Sequence, residues 1–171
     1  MAEVGLLAPD ARVELIEGEI IHMAPSGPPH AGVLSFLATR LQTAAQGKAI
    51  VRPQLPLHID DFSEPEPDFA LVKPRVDHYK SLHPVPGDVL LLVEVSQSSR
   101  AYDRKRKLPL YAACGIPEYW IVDVVKPVLH VFRTPQGQRY LRSSSIARPG
   151  IATLSVQPDL SVDLTGLFEG L

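Results

Sequence analysis

The sequence predicts an α/β protein with a mixed β-sheet core flanked by helices and preceded by an N-terminal β-hairpin. Three observations carry this. Three strand-like segments rich in apolar residues, at about 66–73, 89–96 and 118–124, are bounded by proline, glycine or polar residues. A helical stretch at about 100–113 separates the second strand from the third, and a strand–helix–strand unit closes as a right-handed parallel crossover. Another helical stretch, about 30–46, precedes the strands and supplies a covering layer.

The elements follow in order. Val13–Ile16 and Glu19–Met23 flank Glu17-Gly18, a two-residue turn with glycine available for positive φ, so this region reads as a hairpin. Pro25-Ser26-Gly27-Pro28-Pro29 breaks the chain. From His30 to Gln46, Val33, Leu34, Leu37, Leu41 and Ala44 or Ala45 fall on one helical stripe, and Gly47 stops it. Residues 49–59 read as extended pieces near a sheet edge, because Pro53 and Pro56 each lack a ladder donor. Residues 66–73 form a strand ending at Pro74, followed by a long loop, 74–88, with a helical turn around 76–82. Val89–Ser96 is apolar on both faces and belongs in the middle of a covered sheet, with 66–73 as its antiparallel neighbour. Ser98 or Ser99 caps the next helix, Gly115 ends it, and Pro109 disturbs its interior. Glu118–Val124 is a strand, and Lys126-Pro127 turns the chain into a further strand, Val128–Arg133. The remainder is more polar, with short extended pieces at 140–142 and 152–156.

With 171 residues the chain is expected to be one domain, 1–171, with a core at about 13–134 and a C-terminal extension at 135–171. That length supports a hydrophobic core without a covalent or metal staple. Cys114 is the lone cysteine, so no intramolecular disulfide or cysteine-cluster zinc site can form, which suits a reducing cytoplasm. The histidines show no paired ligand spacing that would make a zinc site. Met1–Gly5 has no basic, then apolar, signal-peptide character, and the longest apolar run, Val89–Val93, is too short to span a bilayer. No membrane association and no nucleotide cofactor is expected. The net charge of −2 means that a nucleic-acid ligand would require a local basic patch.

Two carboxylates stand out. Glu94 follows Leu90-Leu91-Leu92-Val93, where an unpaired buried charge is expensive, so it needs a cation, a hydrogen-bond network or a raised pKa. Asp68 follows Pro67 in a stretch where Glu64, Glu66 and Asp68 alternate onto one face. If the two strands are neighbours, Asp68 and Glu94 converge, and a divalent cation would relieve their repulsion. On the helix, Asp103, Lys107 and Tyr111 recur at i, i+4 and i+8, on one face, which can bring Lys107 over the pair. Arg100, Arg104, Lys105 and Arg106 supply the basic patch that a phosphate backbone requires. Each reading has a plainer counterpart. Glu94 and Lys107 could be a buried ion pair and no more, Asp68 a strand start, the basic run a solvated helix face, His30 a packed helix-opening residue and Glu14 an ordinary exposed strand residue or an ion-pair partner. Tyr111 and Trp120 read as core.

Pro67-Asp68, Glu94-Val95-Ser96, Asp103 with Lys107, Tyr111, and Gly115-Ile116-Pro117-Glu118-Tyr119-Trp120-Ile121-Val122-Asp123 together resemble the Uma-type endonucleases. These belong to the PD-(D/E)XK, or restriction-endonuclease-like, superfamily. Glu14-Leu15-Ile16-Glu17-Gly18-Glu19-Ile20 and His30 fit the same pattern, so the resemblance spans about 13–134. It implies a restriction-endonuclease-like sheet and hydrolysis of DNA phosphodiester bonds with Mg²⁺ or Mn²⁺. It makes Asp68 and Glu94 the metal-binding acids and Lys107 the catalytic lysine. The superfamily lysine usually stands two residues after the second acid. Ser96 stands there in this chain, and Lys107 on the following helix is the matching residue. Glu14, His30, Ser96 and Asp103 become accessory site residues, and Arg100, Arg104 and Lys105 candidate DNA contacts. The alternative is a non-catalytic or partner-activated nucleic-acid-binding module on the same fold, since fold does not fix function. A homodimer would match the two-fold pseudo-symmetry of duplex DNA, and loop 74–88 is a candidate border of the DNA groove.

Overall fold

The computed structural model describes residues 13–23, 27–97 and 100–171, and for Arg100 the backbone alone. Strands β1 (Val13–Ile16) and β2 (Glu19–His22) form the expected hairpin. Its turn residues Glu17 (φ 49°) and Gly18 (φ 83°) both have left-handed backbone, the conformation that a tight two-residue hairpin turn demands and that glycine adopts without steric cost. Helix α1 (Pro28–Ala45) begins two residues before the predicted start, with a proline in its first turn, where no intrahelical donor is required. The expected breaker residues Pro25 and Ser26, and the expected caps Ser98 and Ser99, lie outside the described residues.

The central sheet has six strands in the order β3-β4-β5-β6-β7-β8: Ile50–Pro53, Phe69–Val72, Val89–Ser96, Glu118–Asp123, Val128–Gln136 and Arg139–Ile146. The β5–β6 pair is parallel and the other neighbours are antiparallel, so the sheet is mixed as the sequence predicts. β5 is buried along its whole length. Two further strands, β9 (Ile151–Thr153) and β10 (Ser161–Asp163), pair with each other.

Each face of the sheet carries its own core. On one, Val33, Leu37 and Leu41 of α1 pack over Leu71, Leu91, Val93, Trp120 and Val122. On the other, Ala70, Leu92, Tyr119, Ile121 and Phe132 meet Tyr111 from the helix between β5 and β6 and Ile116 from the turn that follows it. Tyr111 and Trp120 are fully buried, as expected for core residues.

Some elements depart from expectation. The strand predicted over 66–73 joins the ladder only at 69–72. Pro65 and Pro67 have no N–H to donate, and Glu64 instead exchanges backbone hydrogen bonds with Leu15 of the hairpin. The helix after β5 is not regular: α2 (Arg100–Tyr102) passes into a π turn (Asp103–Lys107) and then α3 (Leu108–Ala113). Pro109 cannot donate to the carbonyl four residues back, and its ring would press on it. The ladder widens just before it, and Leu108 N–H bonds to Asp103 O, five residues back. Beyond residue 134, β8 runs for eight residues rather than three. Leu154, Leu160, Val162, Leu164 and Leu167 are buried in the α1-side core, so the C-terminal extension completes that core. Among the described residues no helix is long and apolar enough to cross a membrane.

Candidate active site

Register places the two acids. Phe69 pairs with Val93, so the next rung sets Asp68 beside Glu94 at the end of the β4–β5 ladder. Asp68 is 6% exposed and held from several sides. Its Oδ2 accepts the Val95 N–H at 2.8 Å, its Oδ1 accepts the Gln54 side-chain amide at 3.2 Å, and His30 Nε2 from α1 lies 3.5 Å from Oδ2. Gln54 also gives its backbone N–H to the Asp68 carbonyl at 3.1 Å. It does so from a left-handed backbone, φ 46°, a costly conformation for a residue with a side chain and one that concentrates at functional sites.

Lys107 projects from the end of the π turn and is 3% exposed. Its Nζ donates to Glu94 Oε1 at 2.8 Å and stands 2.8 Å from Glu14 Oε2, so one ammonium bridges the hairpin and the central strand. Tyr111 donates its hydroxyl to Glu94 Oε1 at 3.3 Å. Asp103, four residues before Lys107, is 2% exposed. Ser96 is wholly buried, and its Oγ has no hydrogen-bond partner among the described residues.

Among the described residues Glu14, Asp68, Glu94 and Asp103 are buried carboxylates of this region; Glu94 and Glu14 both contact the Lys107 ammonium, and Asp68 faces His30. Burial pushes the Glu94 carboxyl well above the usual carboxylate range; the Lys107 ammonium pulls against this, while Asp103, Asp68 and Glu14 add to it. Burial works against the Lys107 charge too, but Glu94 first, then Tyr111, Glu14 and Asp103, outweigh it and hold the ammonium well above its ordinary value. Burial leads the first shift and neighbouring charge the second, and both groups hold their protons tightly.

A hard cation suits the paired acids Asp68 and Glu94. The donors are carboxylate oxygens, and the orphaned Ser96 hydroxyl sits two residues beyond Glu94, a set that suits Mg²⁺ or Mn²⁺. Among the described residues no group of three His, Cys, Asp or Glu side chains is placed to hold a metal ion by itself. Mg²⁺ does not need one, since it is commonly held by one or two carboxylates together with water and substrate phosphate.

The structure therefore gathers Asp68, Glu94, Lys107, Glu14, His30 and Asp103, with Ser96 adjoining. It does not gather the basic run. Arg106 turns to the hairpin, 3.2 Å from both Glu17 and Glu19. Arg104 and Lys105 are exposed, and Arg100 carries no described side chain. Loop 74–88 leaves from Val72 and returns at Val89, the strand ends remote from Asp68 and Glu94. Its His83 reaches back to within 3.8 Å of Glu64. Sequence reasoning missed Gln54 as a site residue, and a glutamine after a proline gave no signal. The bond from Tyr111 to Glu94 was signalled by its i+8 spacing from Asp103, yet the residue reads as core.

The architecture is a mixed α/β sheet with an acidic pair and a lysine at one strand end. The crystal structure of a "putative nuclease belonging to DUF820" from Anabaena variabilis superposes with a TM-score of 0.73 at 17% identity, covering 97% of this chain and 94% of that one, so the two share a fold. Residues 2–166 match the Uma2 family, described as "Putative restriction endonuclease", and the chain belongs to that family. No curated protein sequence matches it.

Proposed function

We infer that the chain is a metal-dependent endonuclease that hydrolyses DNA phosphodiester bonds, with Asp68, Glu94 and Lys107 as its catalytic core. The observation that carries this reading is the Lys107 ammonium, 2.8 Å from Glu94 and 2.8 Å from Glu14, beside the cross-strand acid pair. Asp68 and Glu94 would hold Mg²⁺ or Mn²⁺, which supplies charge neutralisation and water activation at the phosphate. Lys107 stabilises negative charge as it develops on the phosphate, in a site dry enough to strengthen the interaction. Glu14 and Tyr111 are positioning residues: the first holds the lysine, the second fixes the Glu94 carboxyl. His30 and Gln54, with the Val95 N–H, fix Asp68. A cytoplasmic homodimer would set two such sites against the two strands of a duplex.

The test is cleavage of supercoiled plasmid and of single-stranded DNA with Mg²⁺, with Mn²⁺ and with a chelator. Cutting that needs metal, and that is lost in Asp68→Asn and Lys107→Ala while both variants stay folded, supports the reading. A wild type that binds DNA in a salt-dependent way yet never cuts supports the non-catalytic or partner-activated module instead.

A further inference from the structure

The flanks of the site carry opposite charge. Residues 60–68 hold five acids, Asp60, Asp61, Glu64, Glu66 and Asp68, and no lysine or arginine. The hairpin beside them adds Glu17 and Glu19, both more than half exposed. These segments lie on the β4 side of the Asp68–Glu94 pair. On the β6–β8 side the pattern reverses: residues 124–158 contain no acid and five basic residues, Lys126, Arg133, Arg139, Arg142 and Arg148. Arg133 is taken by Glu118 at 2.8 Å. The other four are exposed and have no ion-pair partner among the described residues.

Register brings part of this basic flank to the site. Ser96 pairs with Asp123, and Asp123 with Val128, so the turn carrying Lys126 lies at the strand ends that present Glu94 and Ser96. Leu129 pairs with Ile146, so the chain beyond Ile146, with Arg148, emerges at the same end. The basic run on the helix divides along the same line. Arg106 and Lys107 are held by glutamates, whereas the Arg104 guanidinium leans the other way, 5.8 Å from the Phe132 ring on β7. Phe132 pairs with Ser143 on β8, and His130 bonds Ser145 at 2.8 Å, so the neighbouring strand offers small hydroxyl side chains in place of charge.

We propose that the nucleic-acid backbone reaches the site across β6–β8, held by Arg104, Lys126 and Arg148, and that the acidic hairpin and residues 60–66 repel it from the other flank. The occupant is a phosphate backbone because exposed cations with no ion-pair partner among the described residues on one flank, and a run of acids without lysine or arginine on the other, fit a polyanion that enters from one direction. Neutralised phosphates release counterions, so log K falls with log salt by about 0.9 per phosphate contact. The proposal rests on the nuclease reading above and replaces loop 74–88 as the border of the groove.

The test is fluorescence anisotropy of a short end-labelled DNA duplex in chelator, titrated at several salt concentrations. Compared are wild type, R104E/K126E/R148E, and a charge-matched control, K48E/K73E/K80E, at the far end of the sheet and on loop 74–88. All six side chains are exposed, so the fold should survive. The expected result is affinity lowered about 10-fold or more, and a salt slope shallower by about 2–3, in the first variant alone. An equal or larger loss in the control overturns the assignment of the flank and leaves the nuclease reading intact. A wild type with no salt-dependent binding overturns both.

Discussion

Two glutamates are buried in this sheet on neighbouring strands, and they are buried on different terms. Glu118, at the start of β6, is fully buried. It accepts Trp120 Nε1–H at 2.8 Å, Arg133 at 2.8 Å and the Ser155 N–H at 2.9 Å. One acid meets one cation, and donors reach both oxygens. Glu94, toward the end of β5, accepts from Lys107 and Tyr111, but a second buried carboxylate, Glu14, shares that ammonium. Glu118 closes its surroundings, tying β6 to β7 and to the C-terminal segment over the α1-side core. Glu94 has its cation in common with the hairpin and stands beside a further acid, Asp68. Burial alone does not separate a structural carboxylate from a chemical one; the charge balance around it does.

The sharpest way to break this comparison is to neutralise the acids one at a time. Asp68→Asn and Glu94→Gln should each lower plasmid cleavage by about 10²–10³ in rate, the scale of losing one electrostatic contact to the reacting group. Neither should unfold the protein, because the amide keeps the side chain's shape and an oxygen that accepts from the same donors. Thermal melts run beside the cleavage assay check both points.

A divalent cation should stabilise the Glu94 end and do nothing for the Glu118 end. At 100 times its Kd, Mg²⁺ should add about 2.7 kcal/mol to wild-type stability. The melting shift should vanish in Glu94→Gln and persist in Glu118→Gln, read by calorimetry with and without metal.

Glu118→Gln gives the converse result. The side-chain amide presents an N–H where an oxygen now accepts, and Arg133 loses its ion pair. The cost should be about 1.5–3 kcal/mol of stability, as for hydrogen bonds to charged groups, measured by denaturant unfolding, with cleavage per folded molecule unchanged.

Tyr111→Phe is the mildest test. It removes one hydroxyl, 3.3 Å from Glu94, and keeps the ring in the core. It should cost about 0.5–1.5 kcal/mol in kcat, a few-fold loss, with little change in KM.

Much of this architecture was legible in the sequence because it is written in local patterns. The apolar run of β5, the helical stripe of α1 and the strand at Glu118–Asp123 each appear within a short window, and the acid after the Leu90–Val93 run marked itself as costly. The acid pair required only that β4 and β5 be neighbours. What was not legible depends on contacts between distant segments. The resemblance marks Glu14 as an accessory site residue, but its partner, Lys107, emerges only when the hairpin closes on the helix. Gln54 gains its role from a backbone turn that no propensity indicates. Pro109 announced an irregular helix but not a π turn ending at Lys107. Leu160, Val162 and Leu164 alternate with polar residues at strand spacing, but so short a segment does not indicate that it joins the main core.

The most direct measurement is a paired one: cleavage rate in Mg²⁺ and melting temperature without metal, for Glu94→Gln and Glu118→Gln side by side. The predicted result is a crossing. Glu94→Gln melts at or above the wild-type temperature and does not cut, whereas Glu118→Gln melts lower and, while folded, cuts at the wild-type rate. If Glu94→Gln melts lower and still cuts, the Glu94–Lys107 contact is a structural ion pair and the active site lies elsewhere.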